Sequence, residues 1–292
     1  SGQGGLLDIC LHPAFAENRV LYLTYAGPGD GGAATVLARA EFRDGGGLRN
    51  VQPIFEALPR TSGGLHFGSR IVFDRAGLLY LTAGERYQMQ RAQRLDDLGG
   101  KVVRLRDDGS IPPDNPFVGR APIGGVTPRP EIFTYGHRNP QGLALHPTTG
   151  RLWLVEHGPR GGDELNLLKP GANYGWPLAT HGIDYNGAII SPNKSLPGME
   201  DPVRVWVPSI SPSGLAFYSG DRFPGWKGSL FTGALSNDAL FRIELDGERY
   251  VTEERLIVDL LPSIRDVRQG PDGLIYLLTR SNSGGLYRLE PA

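Results

Sequence analysis

Short apolar runs separated by turn residues recur along the whole chain. Most windows either alternate apolar and polar residues or hold four to six consecutive apolar residues rich in Val, Leu, Ile, Tyr and Phe. The 42 glycines and 24 prolines punctuate these runs instead of clustering in one linker, which is typical of many short strands joined by turns. The window at 90–105, QRAQRLDDLGGKVVRL, holds about one helical turn. The pattern therefore predicts an all-β chain.

Five stretches of the sequence repeat one hairpin, made of a short apolar strand, a turn of Pro, Asp, Gly or Asn, and a second strand. The equivalent apolar positions in the first strands are Ile9, Ile71, Leu143, Leu215 and Val267. Their spacings of 62, 72, 72 and 52 residues exceed the ~40 to 50 residues of common propeller blades, which insertions between hairpins would explain. Radial repetition also avoids a long exposed sheet edge. We therefore predict a β-propeller with five visible blade-like hairpins.

The residues that precede each inner strand of a propeller gather around one end of its central channel. This geometry would bring together polar side chains that are distant along the chain. The sequence therefore predicts a shared polar pocket, to which the following residues contribute: Gln3, His66, Arg138, Asn139, Gln141, 211–213 and 263–265.

Composition favours neither a nucleic-acid partner nor a membrane. Thirty Lys and Arg residues stand against 31 Asp and Glu residues, and the formal net charge of -1 gives no bias toward nucleic acid or an anionic membrane surface. No stretch approaches the ~20 apolar residues that span a bilayer. The chain begins abruptly at SGQGGLLD without the pattern of a signal peptide, as though upstream sequence had been removed. We predict neither a nucleic-acid partner nor a membrane span.

Several motifs occur in the order found in one enzyme family. LHFGSRIVFD at 65–74 and GKVVRLRDDGSIPPDNPF at 100–117 precede GHRNPQGLA at 136–144 and EHGPRGGDELNLLKPGANYGWP at 156–177. Together they resemble the soluble quinoprotein glucose dehydrogenase and aldose sugar dehydrogenase family. The resemblance implies a six-bladed propeller that oxidises the C1 hydroxyl of aldoses to lactones with pyrroloquinoline quinone (PQQ) and calcium. It also implies a periplasmic or secreted protein that passes electrons to a carrier or dye.

The family resemblance also bears on domain organisation. We expect a single propeller domain over residues 1–292, lacking about one N-terminal blade, because family members carry about one more blade of chain before the GQGGLL loop. Three explanations stay open: a trimmed chain, direct closure of five blades, or a neighbouring copy that fills the gap. The last would make the protein a homo-oligomer.

The resemblance assigns catalytic roles to three residues. His66 matches the general base that takes the proton of the sugar's C1 hydroxyl, a task that suits an imidazole with an unperturbed pKa near 6.5. Glu85 stands where the family usually has Asp, and a carboxylate there would orient the ring and stabilise the imidazolium. Arg138 matches a cation that faces the reactive carbonyl of the quinone and stabilises the developing negative charge.

Further residues match the family's ligands. Gly158 and Pro159 match the pair whose backbone carbonyls hold calcium, an ion that prefers hard oxygen donors. Tyr174 and Trp176 of NYGWP offer a platform for a sugar, but packing is the favoured interpretation. The cofactor and substrate ligands implied by the resemblance are Gln3, Arg138, Asn139, Gln141 and Arg265.

Two positions depart from the family pattern. Ser236 stands where the family usually has Lys, and Ser263 where it often has Arg. Each missing cation would remove a charge-assisted hydrogen bond to PQQ, worth roughly 1.5 to 3 kcal/mol. A non-catalytic carbohydrate-binding or interaction propeller is therefore one alternative, and a calcium-dependent lactonase-type propeller is the other, because propellers host many chemistries.

Overall fold

The fold is built almost entirely from antiparallel strands. The computed structural model describes residues 2–291, and its strands form five sheets of three or four strands each. The helical segments of these residues are one α-helix, α1 at Phe15–Asn18, and 3-10 turns at Met89–Gln93 and Pro224–Trp226. Within this part of the chain, no helix is long and apolar enough to cross a bilayer. The prediction of an all-β chain is confirmed.

The chain divides into two compact units. The first comprises Ser1–Pro140, Lys169–Leu178 and Ser195–Glu200, and the second comprises Gln141–Leu168, Ala179–Lys194 and Asp201–Ala292. The prediction of one domain over 1–292 stays a prediction, and its end residues 1 and 292 lie outside the described residues.

The first unit contains two four-stranded sheets in which strands adjacent in sequence pair with each other. The first sheet is formed by β1 (Leu6–Leu11), β2 (Val20–Gly29), β3 (Gly32–Arg43) and β4 (Gly47–Glu56). The second is formed by β5 (Gly68–Phe73), β6 (Leu79–Ala83), β7 (Lys101–Leu105) and β8 (Ile132–Tyr135). Both sheets contribute to one apolar core that includes Tyr22, Leu37, Ile71, Leu81 and Val103.

The second unit contains three sheets with the same sequential pairing. The first is formed by β9 (Pro140–Leu145), β10 (Leu152–Glu156), β11 (Asp163–Leu167) and β12 (Arg204–Trp206). The second is formed by β13 (Pro212–Phe217), β14 (Leu230–Ala234), β15 (Leu240–Asp246) and β16 (Arg249–Leu256). The third is formed by β17 (Ile264–Gln269), β18 (Ile275–Thr279) and β19 (Leu286–Leu289). Its cores include Trp153, Leu165, Leu215, Phe241 and Val267.

The first two strands of every sheet are the hairpins that the sequence repeats predict. Four of the five equivalent apolar positions are buried, but Ile9 is 55% exposed. The reason lies in β1, where Asp8 is buried and its Oδ2 accepts the backbone N–H of Ile71 in β5 at 2.9 Å. Because successive side chains of a strand point to opposite faces, Ile9 takes the other, uncovered face of β1.

Two glycines at equivalent repeat positions let neighbouring strands of the second unit approach closely. A Cβ at Gly142 in β9 would lie 2.5 Å from the carbonyl oxygen of Ser213, and a Cβ at Gly214 in β13 would lie 2.1 Å from Oδ1 of Asp266. No side chain fits at either place without movement of the neighbouring strand. The close packing of these hairpins therefore explains why glycine precedes leucine in both QGLA and SGLA.

Candidate functional site

His66 lies in the turn that enters β5, and its backbone is held in an unusual conformation. Its φ angle of 52° is in the left-handed region, which residues other than Gly rarely adopt. The Gln3 side chain stabilises this turn, because its Oε1 accepts the backbone N–H of His66 at 2.9 Å. The Gln3 backbone N–H donates to the carbonyl oxygen of Gly64 at 2.6 Å. Gln3 and His66, both predicted site residues, are thus in direct contact.

Glu85 orients the His66 ring. It follows β6, is buried, and has its Oε1 2.7 Å from Nδ1 of His66. Its other oxygen, Oε2, accepts the backbone N–H of Gln88. Because a carboxylate only accepts hydrogen bonds, the proton of the neutral imidazole resides on Nδ1. Nε2 of His66 is left with a lone pair that can accept a proton.

Arg138 and Asn139 join the same cluster through backbone contacts. The carbonyl oxygen of Arg138 accepts the backbone N–H of Glu85 at 2.9 Å, and Oδ1 of Asn139 accepts the backbone N–H of Gly68 at 3.3 Å. The buried guanidinium of Arg138 lies 5.4 Å from the ring centroid of Trp176, within the range of a cation–π contact. The first unit therefore brings together five predicted residues from four separate parts of the chain.

The surroundings of His66 lower the pKa of its imidazole below the ordinary value of 6.5. Burial is the main cause, and the positive charges of Arg138 and Arg86 act in the same direction. The hydrogen bond that His66 donates to Glu85, together with the negative charge of Glu85, opposes this shift without reversing it. The ring therefore stays neutral, and able to accept a proton, to a lower pH than a free imidazole would.

Two predicted cofactor residues meet in the second unit. Nη2 of Arg265, at the start of β17, donates to Oε1 of Gln141 in β9 at 2.9 Å. The two residues are 124 positions apart in the chain. A cation and an amide side by side offer donors to an anionic ligand.

Gly158 and Pro159 lie in the connection between β10 and β11. The backbone N–H of Gly158 donates to Oδ1 of the buried Asp163 at 2.8 Å, and burial raises the pKa of that carboxyl group. A Cβ at Gly158 would lie 2.3 Å from the carbonyl oxygen of Gly161, so the turn requires glycine here. Among residues 2–291 no group of three or more His, Cys, Asp and Glu side chains is arranged to hold a metal ion. A calcium ion at this turn would therefore be held by backbone carbonyl oxygens and by oxygen atoms of the bound cofactor.

The two serines at the departures from the family pattern are engaged in hydrogen bonds within the second unit. The hydroxyl oxygen of Ser236 lies 2.5 Å from that of Ser211. The hydroxyl of Ser263 donates to the carbonyl oxygen of Leu235 at 2.9 Å, and its backbone N–H donates to Oδ1 of Asp238 at 2.6 Å. Neutral hydroxyls therefore occupy both positions where the family resemblance leads us to expect cations.

Sequence reasoning missed two residues next to Glu85. Arg86 and Tyr87 have φ angles of 62° and 60°, so two consecutive non-glycine residues adopt the left-handed conformation. The Arg86 guanidinium donates to the carbonyl oxygens of Gly63, at 2.6 Å, and of Leu65, and it lies over the Phe67 ring. The Tyr87 ring meets the His66 ring edge-on, with 5.3 Å between centroids. Only their position beside Glu85 in TAGERYQ offered a signal.

The NYGWP segment packs inside the first unit, in agreement with the prediction that Tyr174 and Trp176 serve packing. Tyr174 is 4% exposed and stacks on the His137 ring with 4.7 Å between centroids. Trp176 is 5% exposed and lies against Arg138. Neither ring presents a face to solvent on which a sugar could stack.

The repeated hairpins are those of a β-propeller, and the family match places the chain in one class of propellers, the sugar dehydrogenases. The profile of the glucose / sorbosone dehydrogenase family matches residues 1–288, and the chain belongs to this family. Aldose sugar dehydrogenase YliI of Escherichia coli (strain K12) is 45% identical over 294 residues, which cover 99% of this chain and 78% of that protein.

Solved structures agree with this family and fix the fold class. A crystal structure of glucose dehydrogenase superposes with a TM-score of 0.96 at 49% identity, covering 100% of this chain and 84% of that one. The PQQ-bound form of aldose sugar dehydrogenase from Streptomyces coelicolor superposes with a TM-score of 0.81 at 30% identity, covering 99% and 80% of the two chains. The predicted propeller fold and the predicted family are confirmed.

Proposed function

We propose that the protein is an aldose dehydrogenase that oxidises the C1 hydroxyl of a sugar to a lactone with PQQ and calcium. The observation that carries the proposal is the 2.7 Å contact between Glu85 and Nδ1 of His66, made beside the buried Arg138. Sugar oxidoreductase activity is the family's own chemistry, and the PQQ-bound relative supports the choice of cofactor. The family match favours this function over the binding module and the lactonase.

The side chains at hand suit PQQ, which carries carboxylates and quinone oxygens that accept hydrogen bonds. The candidate ligands supply the complementary donors, since two are permanent cations and the others are amides. Bound PQQ supplies the hydride acceptor that no side chain can offer, and calcium supplies a Lewis acid held by hard oxygen donors. The proposed ligands in the first unit are Gln3, Arg138 and Asn139. Those in the second unit are Gln141 and Arg265 for PQQ, and Gly158 and Pro159 for calcium.

The proposed chemistry removes two hydrogens from the sugar. The C1 carbon loses a hydride and its hydroxyl loses a proton, so the C1–O single bond becomes the carbonyl of the lactone. Nε2 of His66 takes the proton, because the Glu85 contact places the ring's own proton on Nδ1. The Glu85 carboxylate then stabilises the imidazolium. Arg138 provides a fixed positive charge for the negative charge that develops during hydride loss.

Location and partners belong to the same proposal. From the family resemblance, we propose that the protein is periplasmic or secreted and that it delivers electrons to a carrier or dye. Association into a homo-oligomer stays a prediction. The sugar is the small-molecule partner on which the proposal depends.

The decisive experiment supplies purified protein with PQQ and Ca²⁺ and follows dye reduction with a panel of aldoses. We expect sugar-dependent turnover, and we expect His66→Ala to lower it by at least about a hundredfold, as loss of a general base typically does. His12→Ala is the matched control, because His12 caps a turn through a hydrogen bond between its Nδ1 and the backbone N–H of Ala14. Circular dichroism checks that both variants fold.

Three results would contradict the proposal. Equal activity of the His66→Ala variant and the native protein would remove His66 from the mechanism. Sugar binding without oxidation would indicate a binding module. Lactone hydrolysis in the absence of PQQ would indicate a lactonase.

A further inference from the structure

An exposed aromatic ring stands directly beside the candidate base. Tyr87 is 52% exposed, and its ring lies 5.3 Å from that of His66 with an interplanar angle of 73°. Phe67, Tyr174 and Trp176, which also lie near the cluster, are buried. Among the described aromatic rings near the cluster in the first unit, Tyr87 both contacts His66 and is accessible to a solute.

The backbone holds this ring in place at a conformational cost. His66, Arg86 and Tyr87 all have φ angles between 52° and 62°, a region that side-chain-bearing residues avoid. The Arg86 guanidinium ties its strand-end turn to the turn before His66 through the carbonyl oxygens of Gly63 and Leu65. Strained backbone persists where the surrounding contacts over-determine it, and such sites cluster where ligands bind.

The two turns are also joined on the His66 side. Glu85 precedes Arg86 and Tyr87, and its carboxylate holds the His66 ring. One four-residue turn, 85–88, therefore carries the carboxylate that orients the base and the ring that flanks it. A solute that contacts the exposed phenol ring therefore lies next to the imidazole of His66.

We propose that Tyr87 is a substrate-positioning residue whose ring forms an aromatic platform for the C–H face of an aldopyranose held against His66. This inference rests on the proposed function and names its substrate class, sugars in the ring form with a continuous C–H face. Aromatic rings bury large apolar area with little loss of rotamer freedom, and Tyr adds a polar hydroxyl at the edge. The platform contributes binding that is present both before and during proton transfer, so it acts on KM more than on kcat.

The test compares substitutions of Tyr87 in protein reconstituted with PQQ and Ca²⁺. Tyr87→Asn removes the ring and keeps a residue that tolerates the left-handed conformation. Tyr87→Phe keeps the ring and is the matched control, and Tyr87→Leu is a second ring-free variant should the Asn variant fail to fold. Measurements are kcat and KM for a panel of aldoses, and the Kd of 1-deoxyglucose, which lacks the C1 hydroxyl, by calorimetry.

We expect Tyr87→Asn to raise KM and the Kd of 1-deoxyglucose by about tenfold, with kcat within about threefold of the native value. The Phe variant keeps both constants within about twofold. A fall in kcat at unchanged KM would overturn the inference, because the ring would then act on His66 and not on the sugar. Unchanged constants in the ring-free variants would overturn it as well.

The calorimetric arm separates this inference from the proposed function. Native protein that binds 1-deoxyglucose through Tyr87 but oxidises no aldose would contradict the dehydrogenase proposal and leave the platform standing. Native protein that oxidises aldoses with no dependence on Tyr87 would support the dehydrogenase proposal and contradict the platform.

Discussion

The two oxygens of the Glu85 carboxylate accept hydrogen bonds from different donors. Replacing the residue by Gln leaves one acceptor oxygen for these two donors. Oε1 accepts from Nδ1 of His66, and Oε2 accepts from the backbone N–H of Gln88. The Gln side chain has one acceptor oxygen and one donor amide. If that oxygen stays with the N–H of Gln88, the amide group of the Glu85→Gln variant points its hydrogens at Nδ1 of His66.

Two donors cannot face each other, so the imidazole of the variant moves its proton to Nε2, the atom that must accept the proton of the sugar. Restoring the productive tautomer breaks the neutral hydrogen bond between the Gln amide and Nδ1 and leaves two donors facing each other, at about 1 to 3 kcal/mol. Turning the amide round instead leaves the N–H of Gln88 unsatisfied, at about 1 to 3 kcal/mol. The imidazolium also loses its carboxylate. At 1.36 kcal/mol per tenfold change, kcat should fall by about 10² to 10⁴.

The assay is dye-linked oxidation of an aldose by reconstituted protein, with kcat and KM measured from pH 5 to 8, roughly the range over which histidine titrates. We expect little change in KM. Glu85→Asp keeps the carboxylate and should retain activity within about tenfold of native, and Glu17→Gln neutralises an exposed carboxylate and should change nothing measurable. The ¹⁵N shifts of the His66 ring report the tautomer directly, and the protonated nitrogen should change from Nδ1 to Nε2 in the Gln variant.

A Glu85→Gln protein with native kcat would refute this reasoning. If its ¹⁵N shifts also showed Nδ1 still protonated, the orientation of His66 would have to come from another group. A changed tautomer with unchanged kcat would instead remove His66 from proton transfer.

Three further predictions concern charge. Replacing Arg138 by Met should raise the pKa of His66 toward 6.5, measured by NMR titration, while Arg94→Met at an exposed ion pair should not. Because the folded-state pKa of His66 is lowered, the unfolded chain binds its proton first, and native stability should decline as pH falls below 6.5 until the folded pKa is passed. Lys101 is fully buried and its Nζ donates to three backbone carbonyl oxygens, so Lys101→Met should lower the free energy of unfolding by about 2 to 4 kcal/mol, measured by urea denaturation. Lys169→Met at an exposed pair should cost less than about 1 kcal/mol, and equal losses in both lysine variants would contradict the argument.

The repeats in the sequence predicted the strands and much of the cluster, because hairpin strands follow from alternation and turn residues. They also predicted that residues at equivalent loop positions meet, and His66 and Arg138, 72 positions apart, do lie close enough for the charge of one to lower the pKa of the other. Burial was less predictable. Ile9 is exposed although its repeat equivalents are buried, since burial depends on which neighbouring sheet covers a strand face.

The left-handed turn at Arg86 and Tyr87 was beyond prediction from local sequence. Nothing in GERYQ specifies positive φ angles, which favour Gly, Asn and Asp. The conformation depends on bonds from the Arg86 guanidinium to the carbonyl oxygens of Gly63 and Leu65, more than twenty residues earlier in the chain. Such contacts exist only after the β5–β6 hairpin has brought its two ends together, so they leave no periodic trace in the sequence.

The same turn explains how Glu can stand where the family usually has Asp. The extra methylene gives the carboxylate more conformational freedom, but two hydrogen bonds with the backbone restrict it. The Glu85 N–H donates to the carbonyl oxygen of Arg138 at 2.9 Å, and Oε2 accepts from the N–H of Gln88. With the backbone and one oxygen fixed, the other oxygen reaches Nδ1 of His66 at 2.7 Å. The position of the base is therefore set by the whole turn 85–88, and a residue that relaxes this turn should disturb base and platform together.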